Sequence, residues 1–127
     1  MFAQGWGVTE SGSDSLILKQ TLLPLVDRSL CRQKFLTQGE TVADGMLCAG
    51  FTSGNFDSCQ GDSGGPLVYR PEQQNPVSIE SDEPVLVGVI SWGIGCGNAD
   101  LFGVYTSTAY YRSWMEGRIA TFLETGK

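Results

Sequence analysis

Apolar and polar positions change period along this chain. Residues 16–22 read as a strand, and Met46–Ala49 and Pro66–Tyr69 read as two shorter ones. Val85–Trp92 is a longer, strongly β-branched run, and residues 103–106 form another short strand. Residues 22–26 make one further apolar run of strand length. Residues 27–35 predict a short helix, with Asp27 as its N-cap. Residues 70–83 are rich in Pro, Gln, Ser and Glu and read as an exposed loop between two strands. After that the period lengthens. Tyr111, Trp114, Met115, Ile119, Phe122 and Leu123 recur at helical spacing, which predicts a helix over about 109–124 with one apolar face. Gly117 inside it costs about 1 kcal/mol relative to Ala, and Gly126 suits its C-terminal end. Many short strands with glycine-rich connections predict an all-β barrel or sandwich.

Composition narrows the function classes. With 127 residues, 41% apolar and 17% charged, the chain can bury a core and is not disordered. The net charge is −6, and the eight basic residues form no run. That argues against nucleic acid or an anionic membrane surface as the main partner, since both demand clustered cations. No segment approaches the ~20 apolar residues that span a bilayer. The first residues lack the basic and apolar regions of a signal peptide. There is no histidine, so the commonest general base and the commonest metal ligand are both missing.

Cys31, Cys48, Cys59 and Cys96 include no C-x-x-C pair, which argues against zinc. Four cysteines allow three pairings, and spacing alone does not choose among them. Disulfides imply an oxidising compartment, so a chain without an export signal reads as a mature chain or a piece of a longer one.

The segment with chemical content is Asp57-Ser58-Cys59-Gln60-Gly61-Asp62-Ser63-Gly64-Gly65-Pro66. A nucleophilic hydroxyl must stand clear of its own backbone, and small neighbours allow that. A glycine two positions before the serine can turn its N–H into a site with no Cβ in the way. Together with the serine's own N–H it can hold an oxyanion. The competing reading is a glycine-rich turn without chemistry. Gly61, Ser63 and Gly65 also fit the nucleophile elbow of α/β-hydrolases, but that needs a helix after the serine, where the pattern here predicts a strand.

These residues and other motifs in the same order make the chain resemble the C-terminal half of a trypsin-like (chymotrypsin-fold) serine protease. Gly5-Trp6-Gly7 is similar to the start of that family's second barrel. Gly45-Met46-Leu47-Cys48-Ala49-Gly50 is similar to the strand before its active-site loop. Val89-Ile90-Ser91-Trp92-Gly93, Gly103-Val104-Tyr105-Thr106 and a terminal helix with Trp114 complete the order. The resemblance implies a six-stranded antiparallel barrel over residues 1–127, with a short intermediate helix and a C-terminal helix.

It further implies that Ser63 is the nucleophile, with the N–H groups of Gly61 and Ser63 forming the oxyanion hole. Asp57 would lie at the base of the primary specificity pocket, where a partly desolvated carboxylate favours Arg or Lys. Gly93 and Gly103 would be its walls, Ser58 and Gln60 its lining and rim. Ser91, Trp92 and Gly93 would form an edge on which substrate pairs as an added strand. Cys31 would pair with Cys48, and Cys59 with Cys96, each bridge contributing ~3 kcal/mol in the chain-entropy model. Such enzymes are secreted, act on proteins or peptides, and need no metal or cofactor for the reaction. Phe102 stands where this family often has proline. An aromatic there is associated with Na⁺ held by nearby carbonyls, while a hydrophobic plug under the loop is the plainer reading.

The family's catalytic His and Asp lie in a first barrel that these residues do not include, so Ser63 lacks a general base here. The ammonium terminus that pairs with the aspartate matching Asp62 is also missing, so Asp62 is expected to be unpaired or turned outward. The isolated chain is therefore expected not to hydrolyse peptides. A non-catalytic binding module on the same scaffold is the alternative, and an α/β-hydrolase the weaker third reading.

Overall fold

In a computed structural model, residues 1–71 and 83–126 are described; most of the polar 70–83 segment lies outside them. The elements in chain order are β1 (Phe2–Gly5), β2 (Lys19–Leu22), β3 (Leu25–Val26), α1 (Arg28–Leu36), β4 (Met46–Ala49), β5 (Pro66–Tyr69), β6 (Val85–Trp92), β7 (Gly103–Ser107) and α2 (Arg112–Thr125). The strands form one antiparallel sheet of seven, in the order β2-β1-β5-β6-β7-β4-β3.

The two edge strands, β2 and β3, are separated in the chain only by Leu23 and Pro24. They are two halves of one bent strand, and the sheet closes on itself at that bend. The Leu23 N–H donates to the Met1 carbonyl at 2.8 Å, on the β1 side. Pro24 has no N–H to give, but its carbonyl accepts from Gly50 at 3.0 Å, on the β4 side. Counted this way, the six expected strands become seven pairing segments, because the bend interrupts one of them.

The predicted strand over 16–22 is shorter than expected. Its ladder with β1 ends at Lys19 opposite Gly5. Beyond that, Ser15 N–H bonds to Trp6 carbonyl and the chain turns away, which leaves Leu16, Ile17 and Leu18 exposed. β1 escaped the pattern because Phe2-Ala3-Gln4-Gly5 is neither an alternation nor a sustained apolar run, while β3 falls inside the apolar run at 22–26.

α1 begins as its cap predicts. Asp27 accepts from the backbone N–H of Ser29 at 2.9 Å and of Leu30 at 3.2 Å, satisfying two orphan donors of the first turn. Its inner face carries Cys31 and Phe35, both fully buried. They join Val42, Cys48, Phe102 and Val104 in one core cluster, and Ala3, Leu23, Ala49, Leu67, Ile90 and Tyr105 form the other.

α2 starts three residues later than expected, because residues 108–111 form a turn first. Gly126 ends it in the left-handed region at φ 68°, as a C-terminal glycine should. Its apolar stripe does not pack. None of its residues is buried, and Trp114 and Leu123 are 62% and 77% exposed.

Candidate active site

The site-bearing loop is pinned at both ends. Cys59 is bridged to Cys96, and Cys31 to Cys48, the pairing that the resemblance implies. Downstream, Gly64 N–H donates to Ile90 carbonyl and Ile90 N–H donates to Gly65 carbonyl, each at 2.9 Å. Ser63 is thus carried on a tight turn lashed to β6, and it is exposed. Asp62 N–H to Cys59 carbonyl at 3.0 Å and Gly65 N–H to Asp62 carbonyl at 2.9 Å shape the turn. Gly61 and Gly64 hold φ of 91° and 82°, a region costly for any side chain with a Cβ. Among the described residues, neither the Gly61 nor the Ser63 N–H is donated to a backbone carbonyl.

A strand, β5, follows the serine where the nucleophile-elbow reading requires a helix. The α/β-hydrolase reading fails on that point.

Asp57 is partly buried. One carboxylate oxygen accepts from Ser58 N–H at 2.8 Å and the other from Gly97 N–H at 3.0 Å. Burial pushes its carboxyl above the ordinary 3.8; those two N–H groups pull the other way, and the nearby Asp62 carboxylate adds a smaller upward push. Gly103 is buried beside it: a Cβ there would lie 2.7 Å from Asp57 Oδ1 and 2.8 Å from the Tyr105 hydroxyl. Tyr105 is fully buried, its hydroxyl is 3.2 Å from Ser58 Oγ, and burial raises its phenol to about 12. It therefore stays protonated at any working pH. Sequence reasoning missed Tyr105 and Gly97. No local pattern marks a residue whose contribution is one hydroxyl or one N–H delivered from another strand or loop.

Ser91 sits at a register break between Ile90 and Trp92, a bulge that leaves it exposed on the strand edge. Trp92 packs edge-to-face on Phe35 with ring centroids 5.1 Å apart, which fixes the strand end. Gly93 is exposed, and the nearest atoms to a Cβ there are 3.6 and 3.8 Å away, so a side chain would fit but would occupy open space. Gln60 is exposed, and its carbonyl accepts from Val8 N–H at 2.8 Å. Phe102 is buried in the α1 core cluster.

Asp62 is neither unpaired nor turned outward. Its carboxylate accepts from Gly7 N–H at 2.8 Å and from Cys59 N–H at 2.9 Å. Gly5 and Gly7 make this arrangement possible, because a Cβ on either would collide with the Asp62 carboxylate. A cavity of about 410 Å³ opens beside them, lined by Gly5, Gly7, Asp57, Asp62, Cys96 and Gly97 among others. Asp57 and Ser58 line it, whereas Ser63, Gly93 and Gly103 do not.

An antiparallel barrel whose glycine-flanked serine turn is lashed to β6 defines the class: a trypsin-like barrel. The chain belongs to the trypsin family, whose profile matches residues 1–115. It is 43% identical over 115 residues to transmembrane protease serine 11B of Homo sapiens, covering 90% of this chain and 26% of that protein. It is 39% identical over 116 residues to trypsin eta of Drosophila erecta, covering 91% of this chain and 39% of the relative. With trypsin Blo t 3 of Blomia tropicalis it shares 40% identity over 117 residues, 90% of this chain and 39% of the other. The chain thus spans between a quarter and two-fifths of these relatives.

Proposed function

We propose that these 127 residues are the C-terminal barrel of a secreted serine endopeptidase that cleaves after Arg or Lys. The observation that carries this reading is the Asp57–Gly103 contact: an acceptor-only, half-buried carboxylate with no side chain on the wall facing it. Such a group favours a long cationic side chain over a neutral one. Ser58, with its hydroxyl near that of Tyr105, offers a second polar atom in the same place.

In this reading Ser63 Oγ attacks the scissile carbonyl, and the N–H groups of Gly61 and Ser63 receive the oxyanion. Substrate backbone pairs along Ser91, Trp92 and Gly93, with Gln60 at the rim. The chain has no histidine, so a first barrel must supply the general base and the aspartate that orients it. Two observations support such a barrel. The relatives are much longer than the matched span, and α2 holds Trp114, Ile119, Phe122 and Leu123 bare. The cavity beside Asp62 suits an entering chain terminus whose ammonium pairs with that carboxylate. Protein and peptide substrates follow, and no cofactor is invoked for the reaction. A Na⁺ effect through carbonyls near Phe102 is tested separately: an unchanged amidolytic rate in Na⁺ and choline salts ends it.

The experiment joins this chain to a first barrel bearing His and Asp and compares peptide esters ending in Arg, Lys, Phe and Glu. Turnover confined to Arg and Lys supports the reading. Equal turnover of the Phe ester contradicts it, as does Ser63-dependent turnover by the 127 residues alone.

A further inference from the structure

Among the described residues, only Asn55 and Asp100 hold a positive φ without being glycine, at 76° and 61°. That region is costly for a residue with a Cβ and is kept where the surroundings enforce it. The two residues lie on loops tied to each other. Asn55 N–H donates to the Gly97 carbonyl at 2.8 Å, and Asp100 N–H donates to the Thr52 carbonyl at 2.9 Å. The loops also touch backbone to backbone, since a Cβ on Gly54 would collide with the Gly97 carbonyl. Gly97 in turn gives its own N–H to Asp57 Oδ2 at 3.0 Å. The 96–101 loop therefore delivers one of the two backbone donors that hold the Asp57 carboxylate.

The ends of that loop are fixed, Cys96 by its bridge to Cys59 and Phe102 by burial in the α1 core cluster. Between them Asn98 bonds close by, its Nδ2 donating to the Ile94 carbonyl at 3.0 Å. Asp100 reaches another element: its carboxylate pairs at 3.0 Å with Lys34 Nζ. Lys34 stands in the last turn of α1, where the open carbonyl ends of a helix also favour a cation. We infer that Lys34 is a positioning residue. By pairing with Asp100 it holds the 96–101 loop so that Gly97 N–H meets the Asp57 carboxylate, and the grip on a cationic substrate side chain is set in part from α1. This rests on the proposed role of Asp57 at the base of the specificity pocket.

The path is short. Two residues separate Gly97 from Asp100, and Leu101 N–H donates to the Asn98 carbonyl at 3.2 Å, closing a turn there. Without its partner Asp100 relaxes out of the left-handed region, its N–H leaves Thr52, and the turn carries the Gly97 peptide with it. Asp57 then keeps only the Ser58 N–H. A carboxylate with one donor in place of two is less firmly oriented and holds its proton more tightly. The ionisable groups acting on Asp57 and its surroundings are Asp62 and Tyr105, and the variants below leave both in place.

The test uses protein restored with a first barrel and compares wild type, Lys34→Met, Lys34→Arg and the double variant Lys34→Met/Asp100→Gly. Methionine keeps an unbranched stem and removes the charge. Glycine takes the left-handed turn with no partner to hold it. The readouts are kinetics on an Arg anilide and benzamidine affinity across pH, with thermal melts alongside. Lys34→Met is expected to raise KM about three- to fivefold, the range open to a partly exposed pair, with kcat little changed. It is also expected to move the midpoint of benzamidine binding to higher pH. Lys34→Arg and the double variant are expected to return both to wild-type values. A pair that only adds stability would move the melting temperature and leave KM and the pH midpoint in place, and that result overturns the inference. So does a loss in Lys34→Met that glycine at 100 does not restore. Lys34→Gln reads the same charge should the methionine variant not fold. A wild type with no preference for Arg and Lys overturns the reading of Asp57 and this inference with it. A wild type that has the preference, beside variants that match it, overturns this inference alone.

Discussion

The carboxylate of Asp57 rests against the bare Cα of Gly103, on a strand that the sequence places far from it. A single methyl at position 103 would stand 2.7 Å from Asp57 Oδ1. In protein restored with a first barrel, Gly103→Ala should lower kcat/KM for Arg and Lys esters by at least about tenfold, roughly 1.4 kcal/mol of lost transition-state binding. Phe and Glu esters serve as controls. An unchanged Arg/Lys rate would show that the space beside Gly103 is not where the cationic side chain goes.

Acidity should expose the same carboxylate. Burial raises the Asp57 carboxyl above 3.8 in the empty fold. The folded state then holds its proton more tightly than the unfolded chain does. Stability credited to Asp57, relative to Asp57→Asn, is therefore greatest at low pH and is lost as pH rises through the raised folded value. An amidine ligand needs the carboxylate, so its affinity should fall on acidification with a midpoint above the ordinary aspartate value. Thermal melts of both proteins across pH, with and without benzamidine, check the two signs. A stability difference that grows with rising pH would contradict this reading.

Core and helix should respond very differently to truncation. Phe35, on the inner face of α1, is fully buried against Trp92, and Phe35→Ala should cost about 3–5 kcal/mol. Phe122 on α2 is 59% exposed, and Phe122→Ala should change stability of the 127-residue chain by less than about 0.5 kcal/mol. Urea denaturation of the two variants makes the comparison. A large loss from Phe122→Ala would mean that α2 packs on the barrel.

The Cys59–Cys96 bridge closes a loop with a sequence separation of 37. Replacing both cysteines by serine should cost about 4 kcal/mol by the chain-entropy model. It should also weaken amidine binding, because Gly97, next to Cys96, donates to Asp57. Denaturant titration and calorimetric titration with benzamidine separate the two effects.

Much of this was legible in the sequence where a signal was local. Asp27 caps α1, β4, β5 and β6 fall on their predicted residues, and Gly126 ends α2. The serine turn was legible because glycine at fixed offsets has a steric reason. What was not legible depends on partners distant in the chain. The bend at Leu23–Pro24 becomes a closure only once Met1 and Gly50 arrive on its two sides. Asp62 looked unpaired because its partners are the main chain of Gly7 and Cys59, which carry no side-chain signature. The stripe on α2 was read correctly as a period, yet the period says nothing of whether a partner surface lies within reach.

The account stands on one cleft shared by Asp57 and Ser63. In protein restored with a first barrel, a fluorophosphonate probe followed by peptide mapping reads it directly. The predicted result is labelling at Ser63 that benzamidine suppresses in the wild type and leaves untouched in Asp57→Asn. Labelling that benzamidine does not slow in the wild type, or no label on Ser63 at all, would contradict the account.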